Sequence, residues 1–296
     1  MKGSKFSAQR DKSLFDLRFC VLKEINLFST FAFAWQKLGA QRDKSLFDLR
    51  FCVAKARRMK ITERQGEILN RIVGEYINSA EPVSSKLLEK KYDFNICPAT
   101  IRIEMQKLTD DGFISQPHTS AGRVPTDKGY RFFVDDLLES GFLNEDPDFR
   151  LPAMGDSIKF IQLLTKNLAE ISSGLVLTYL SDEKILWKEG WGEILQEPEF
   201  KETKIISNFT ELIENFEKEI EDIEININSG IKVYIGKENP FHKAREFSII
   251  ITKCHFPGKE EGFLAIMGPK RMAYDKNIGL INSLAEALAR RELEEF

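Results

Sequence analysis

The sequence predicts an α+β protein: an N-terminal winged helix-turn-helix followed by a mixed α/β domain. Three observations predict it. Apolar residues recur at helical spacing from Ile68 to Leu108. Two short strand-like runs, Phe113 to Gln116 and Arg123 to Pro125, flank a turn of small polar residues. Beyond an acidic, proline-containing stretch, runs rich in β-branched and aromatic residues alternate with amphipathic ones.

The chain has 296 residues, and at roughly 100–200 residues per domain two domains are expected. Hydrophobic residues make up 42% and charged residues 30%, which supports a packed core and excludes global disorder. No apolar run approaches the roughly 18–20 residues of a membrane span; Leu27 to Trp35 is short and contains Ser29 and Thr30. Cys20, Cys52, Cys97 and Cys254 form no Cys-x-x-Cys pair, and the three histidines lie far apart. A disulfide scaffold or a zinc module is therefore not expected, nor any other metal site or cofactor. The N-terminus lacks the apolar core and cleavage pattern of a signal peptide, so the cytoplasm is the expected compartment, with no membrane partner.

Ala8 to Val21 reads AQRDKSLFDLRFCV, and Ala40 to Val53 repeats it without change. Two identical copies point to a recent duplication at the DNA level, since solenoid repeats diverge and usually need about three copies to bury a core. Residues 1–58 are thus read as an extension: either a variable segment or translated upstream sequence, with Met59 as the native start. The remaining boundaries are 59–140 for the winged helix-turn-helix, 141–152 for a linker and 153–296 for the second domain.

Thr62-x-x-Gln65 is a capping-box pattern, and Ile68, Leu69, Ile72, Val73, Tyr76 and Ile77 extend the helix to about Ser79. Ser84 caps a short second helix through Lys90. Pro98 suits the first turn of a third helix that ends near Asp110, with Gly112 as a left-handed stop. The ribbon follows, and Thr126 and Asp127 open a helix through Leu138. In the second domain, helices are expected over Ile158–Ile171, Glu211–Ile220 and Asn277–Glu292. Strands are expected over Gly174–Leu180, Lys184–Trp187, Ile231–Ile235, Phe247–Thr252 and Gly262–Met267.

Reading DNA requires a helix slim enough for the major groove with polar groups on its outward face. Thr100, Arg102, Ile103, Gln106 and Lys107 are the outward candidates on the third helix. His118, Thr119, Ser120 and Arg123 lie at the ribbon, where contact with phosphates or a minor groove is natural, and Lys128 and Arg131 follow. Charge argues the other way. Residues 59–139 hold 11 Lys/Arg against 13 Asp/Glu, whereas residues 1–58 hold 13 against 5. A winged helix that docks only protein is therefore weighed as an alternative.

The stretches TERQGEIL, IVGEYINSAEPV, PATIR with EM after it, and above all PHTSAGRVPTDKGYRFFVD resemble the heat-inducible transcription repressor family HrcA. VYIGKEN and GPKRMAY in the second domain extend the resemblance over most of residues 59–296. The resemblance implies a repressor of chaperone operons that binds double-stranded DNA, an inverted-repeat operator called CIRCE, as a homodimer. It also implies a GAF-like second domain, usually with an inserted dimerisation subdomain, and a GroEL-type chaperonin as partner. Four features depart from it. Ser84 stands where Gly is usual, Cys97 where a capping Ser is usual, and Ile103 where Asn is usual. The stretch from Leu180 to Glu193 is too short for the inserted subdomain, so the helix from Lys128 to Leu138 and the remaining GAF-like surface are expected to form the dimer.

A GAF-like domain raises a second reading, a ligand-sensing regulator whose pocket draws on Trp187, Trp191, Phe200 and Phe241; core packing is the commoner fate of scattered aromatics. Gly236 to Asn239 and Gly268 to Arg271 read as turns, the latter with cations that pair with acidic surface. His242 and His255 are read as structural. No nucleophile elbow, phosphate loop or paired-carboxylate pattern is present, so an enzyme is not expected.

Overall fold

Thr62 and Gln65 cap the first helix reciprocally. The Gln65 backbone N–H donates to Thr62 Oγ1 at 3.3 Å, and Thr62 N–H donates to Gln65 Oε1 at 2.9 Å. The computed structural model describes residues 61–140, 151–152, 157–226, 230–241, 243–257 and 260–294. The chain divides into two units, Met1–Met59 and Lys60–Phe296, and every described residue lies in the second. The repeat, residues 141–150 of the expected linker and His242 are outside the described residues.

Helix α1 (Glu63–Ser79) buries Ile68, Leu69, Ile72 and Val73. Helix α2 (Ser85–Lys91) starts at Ser84, whose hydroxyl accepts from Leu87 N–H at 3.2 Å. Helix α3 (Pro98–Asp110) opens on proline, whose missing N–H has no helical partner to lose. It buries Ile101, Met105 and Leu108, and Gly112 at φ +76° turns the chain away. Strands β1 (Ile114–Ser115) and β2 (Val124–Pro125) pair antiparallel, with Ile114 opposite Pro125.

This ribbon is shorter than the sequence suggests, because Arg123 pairs elsewhere. Its backbone exchanges two 2.8 Å hydrogen bonds with Val83, between α1 and α2. Gly122 makes that approach possible: a Cβ there would stand 2.5 Å from the Pro82 and Val83 carbonyl oxygens. Helix α4 (Asp127–Ser140) completes the head.

The body is a five-stranded, wholly antiparallel sheet in the order β4-β3-β7-β6-β5. Its strands are β3 (Leu175–Leu180), β4 (Ile185–Glu189), β5 (Lys232–Ile235), β6 (Phe247–Phe256) and β7 (Glu260–Pro269). Helices α5 (Ser157–Ser172) and α9 (Tyr274–Glu294) belong to one layer, packed with Val176, Leu180, Ile250, Leu264 and Ile266. The opposite layer is helix α7 (Thr203–Lys218), whose Phe209, Leu212, Ile213 and Phe216 meet Leu175, Leu177, Ile249, Phe263 and Met267. With helices on both faces, β3 is buried along its whole length, which explains its continuous apolar run.

Three differences from expectation stand out. Helix α7 begins at Thr203 rather than Glu211, because Ile205 and Phe209 already follow the apolar stripe. Short helices α6 (Trp191–Ile194) and α8 (Ile220–Asn226) are additional to the expected elements. Strands β6 and β7 run longer, since their register pairs every residue from Phe247↔Pro269 to Phe256↔Glu260. The β3–β4 connection is a four-residue turn, Ser181 to Lys184, with no subdomain inserted in it.

Candidate nucleic-acid interface

Arg102, Ile103, Gln106 and Lys107 lie on the exposed side of α3, opposite the stripe that packs against α1. Spacings of three and four residues produce that separation. Thr100 is half-buried at the start of the same helix. Its hydroxyl lies 3.2 Å from Cys97 Sγ, and Cys97 makes no side-chain cap bond to the helix backbone. The Thr100 contact, aided by backbone N–H groups at the helix start, holds the exposed Cys97 thiol below its ordinary pKa.

Neighbouring groups orient each side chain of this face. Arg102 Nε donates to Ser85 Oγ at 3.2 Å, so the start of α2 supports it. Gln106 Nε2 donates to Asp110 Oδ1 at 2.8 Å. Lys107 Nζ is 3.3 Å from Glu104 Oε1, and Gln65 Nε2 donates to the other Glu104 oxygen at 2.8 Å. Burial raises the Glu104 pKa, but the bonds from Gln65 and Lys107 outweigh it and hold the carboxyl below its ordinary range. Gln65 therefore caps α1 with one end of its amide and ties α1 to α3 with the other. Ile103, 55% exposed, presents only hydrocarbon.

The ribbon tip holds His118, Thr119 and Ser120, all exposed. Gln116 Nε2 donates to the carbonyls of Thr119 and Ala121, each at 2.9 Å, and fixes the turn. Arg123 crosses from the ribbon to α3: Nε donates to Thr109 Oγ1 at 3.1 Å and NH2 to Gln106 Oε1 at 3.4 Å. The structure thus brings together the α3 residues and Arg123, with the tip residues on the same ribbon. Lys128 instead closes the end of α3, donating to the Asp111 carbonyl at 2.6 Å with Nζ 3.9 Å from the centre of the Phe113 ring.

Arg131 is placed elsewhere. Its guanidinium faces the body, with Nε bonded to Glu238 at 3.0 and 3.1 Å and NH2 to the Val233 carbonyl at 2.6 Å. The inner face of α4 is also occupied within the chain: Tyr130 and Val134 are buried, and the Tyr130 ring lies 5.8 Å from that of Tyr274. A second copy therefore has only the outer side of this helix to use. Sequence reasoning found Gln65 as a cap but missed its bond to Glu104, and it missed Ser85 and Thr109, whose partners come close only after folding, and the local staple made by Gln116.

In the body, Phe200 and Phe241 are buried beside Phe209 and Phe216, with centroid distances of 5.1 and 5.5 Å respectively. Trp187 packs with the cluster on the other face of the sheet, and Trp191 meets Phe209 edge-on at the surface. The four do not line one cavity. Among the described residues, no group of three His, Cys, Asp or Glu side chains is arranged to hold a metal, and no helix is long and apolar enough to cross a membrane.

Residues 150–278 match the family model of the HrcA protein C-terminal domain. The heat-inducible transcription repressor HrcA of Brevibacillus brevis is 29% identical over 80% of this chain and 99% of its own length. That alignment spans 340 positions, more than the 296 residues of this chain, so the relative carries residues with no counterpart here. The protein of the same name from Carboxydothermus hydrogenoformans is 46% identical over 116 residues, 39% of this chain and 34% of its own. A crystal structure titled only as a hypothetical protein superposes with a TM-score of 0.64 at 22% identity, covering 78% of this chain and 98% of its own, and shows the shared fold. The chain resembles the HrcA repressors in sequence along both its head and its body.

Proposed function

We propose that this chain is a sequence-specific DNA-binding repressor of heat-shock operons. Its head, residues 59–140, acts as a winged helix-turn-helix, and its body, residues 153–296, as a GAF-like regulatory and dimerisation domain. It binds an inverted-repeat operator of CIRCE type as a homodimer, with a GroEL-type chaperonin as regulatory partner. The observation that carries the reading is the exposed face of α3, where Arg102, Ile103, Gln106 and Lys107 stand together and Gln106 meets Arg123 of the ribbon. Such a face combines donors, an acceptor and one apolar contact, the elements that read base edges in a major groove. The tip and Arg123 are suited to phosphates or a minor groove. Heat-inducible repressors among the relatives support the operon class.

Titration against an inverted-repeat duplex and a scrambled duplex at several salt concentrations tests this. Tight, salt-dependent preference for the inverted repeat is expected, as binding that neutralises phosphates weakens linearly with log salt. Equal, weak affinity for both duplexes contradicts it.

A further inference from the structure

Beside the apolar contact of Tyr130 with Tyr274, charged groups tie head to body at three sites among the described residues. At the first, Asp127 opens α4 and accepts twice from the body: from Lys237 N–H at 3.1 Å and from Lys270 Nζ at 3.1 Å. A Cβ at position 236 would stand 2.5 Å from the Asp127 carboxylate, so glycine at φ +53° lets the two elements meet. At the second, Arg131 binds Glu238 with two nitrogens and the Val233 carbonyl, while Asp135 one turn away lies 3.4 Å from NH1. At the third, Arg271 is only 10% exposed and binds both Glu199, at 2.6 Å, and Glu197. Its remaining nitrogen, NH1, donates at 3.0 Å to the Ile77 carbonyl in the last turn of α1, where the helix dipole favours a cation.

The contacting groups come from α1 and α4 on one side and from β5 and the turns after β5 and β7 on the other. These turns, Gly236 to Asn239 and Gly268 to Arg271, face the head rather than an outside partner. Desolvation offsets much of the attraction within such pairs, so they are poor sources of net stability. Bidentate and multiply bonded arginines do define geometry sharply.

We propose that Asp127, Arg131 and Arg271 are positioning residues, which lock the head to the body so that pairing of two bodies sets the separation of two α3 helices on DNA. This rests on the DNA-binding reading above. The lock acts through orientation: its residues need not touch DNA for the half-site spacing to depend on them.

The test uses the full chain carrying Arg131→Met and Arg271→Met. A milder pair, Glu238→Gln with Glu199→Gln, keeps both arginines. Spin labels on unnatural amino acids at exposed Lys86 and Lys204 report the head-to-body distance, with labelled protein diluted into unlabelled. Binding is measured to a single half-site, to the inverted repeat, and to a repeat lengthened by about half a helical turn, about 5 base pairs. The wild type is expected to show one narrow distance and at least a roughly 10-fold preference for the native spacing, as two-fold symmetry demands. The arginine variant is expected to broaden the distance and cut that preference to within roughly 3-fold, with half-site affinity unchanged, because only the tether between readers is loosened. The carboxamide pair should move both readouts in the same direction by less. A narrow distance and intact spacing preference in an arginine variant that still melts cooperatively overturns the proposal. Broadened distances alongside a wild type that binds no duplex overturn the DNA-binding reading, and the positioning role with it.

Discussion

Ser85 Oγ accepts a 3.2 Å hydrogen bond from Arg102 Nε, so the start of α2 sets the direction of a guanidinium on α3. An arginine anchored through Nε still has two terminal nitrogens for the O6/N7 edge of guanine, a contact worth about 1–3 kcal/mol of discrimination. Arg102→Ala is expected to weaken operator binding about 10-fold or more while changing scrambled-duplex binding far less. Ser85→Ala should have a smaller effect in the same sense. Equal losses on both duplexes would make Arg102 a backbone contact.

Ile103 offers only hydrocarbon on the exposed face of α3. It is 55% exposed, so its replacement leaves the core of α3 untouched. Ile103→Asn is expected to change base preference at one operator position, from a thymine methyl toward a base with a hydrogen-bonding edge, with unchanged thermal stability. A selection from randomised duplexes reads this directly; an identical selected sequence for both proteins would remove Ile103 from the reading surface.

Two glycines should respond oppositely to alanine. Gly74 sits inside α1 with nothing within 4 Å of the added Cβ. Gly74→Ala should stabilise by about 0.5–1 kcal/mol, by reducing the freedom of the unfolded chain. At Gly129, in the first turn of α4, the added carbon would stand 2.2 Å from the Phe113 carbonyl oxygen. Gly129→Ala should cost at least about 1–3 kcal/mol, since backbone must move to relieve the overlap. Thermal melts of both variants check the pair, and a stabilised Gly129→Ala protein would contradict the head geometry.

Glu104 links α1 and α3 as a carboxylate. Its folded pKa lies below the ordinary value, where the opposing effect of burial is outweighed by the bonds from Gln65 and Lys107. Its stabilisation is therefore present above the unfolded pKa of about 4.3 and is lost as pH falls through the folded one. Glu104→Gln should be less stable than wild type at pH 7, with the gap narrowing below about pH 4. Urea unfolding across pH 3–7 measures it; a gap independent of pH would mean that Glu104 acts only through packing.

The two described thiols should differ sharply. Cys97 is exposed at the start of α3, with its pKa lowered by Thr100 and the helix-start N–H groups. Cys254 is buried in β6 and pushed up to about 12. Mild alkylation at neutral pH should modify Cys97 and spare Cys254, because the thiolate is the nucleophile. The adduct on α3 should also reduce operator binding. Peptide mapping that finds Cys254 modified first would contradict the sheet packing.

Local chemistry makes much of the head legible in the sequence. The Thr62/Gln65 box, Ser84, Pro98 and Gly112 each mark a helix end by rules that span three or four residues. The outward face of α3 follows from periodicity alone. What stays hidden depends on distant partners. Arg131 carries a charge that suits phosphate, yet its partners Val233 and Glu238 lie more than a hundred residues away. Arg123 is visible as a ribbon cation, but its bond to Thr109 depends on how the ribbon folds over α3. The sheet order is equally hidden, since β3 pairs with β7 as well as with its successor in sequence. Periodicity identifies a buried strand and not its neighbour.

Footprinting of the full chain on the DNA upstream of its own coding sequence tests the central claim most directly. The account predicts two protected half-sites related by inverted symmetry, with centres a whole number of helical turns apart, about 10 base pairs or a multiple. Protection should fade as salt rises. No protected inverted repeat at any salt, with the protein folded, would contradict it.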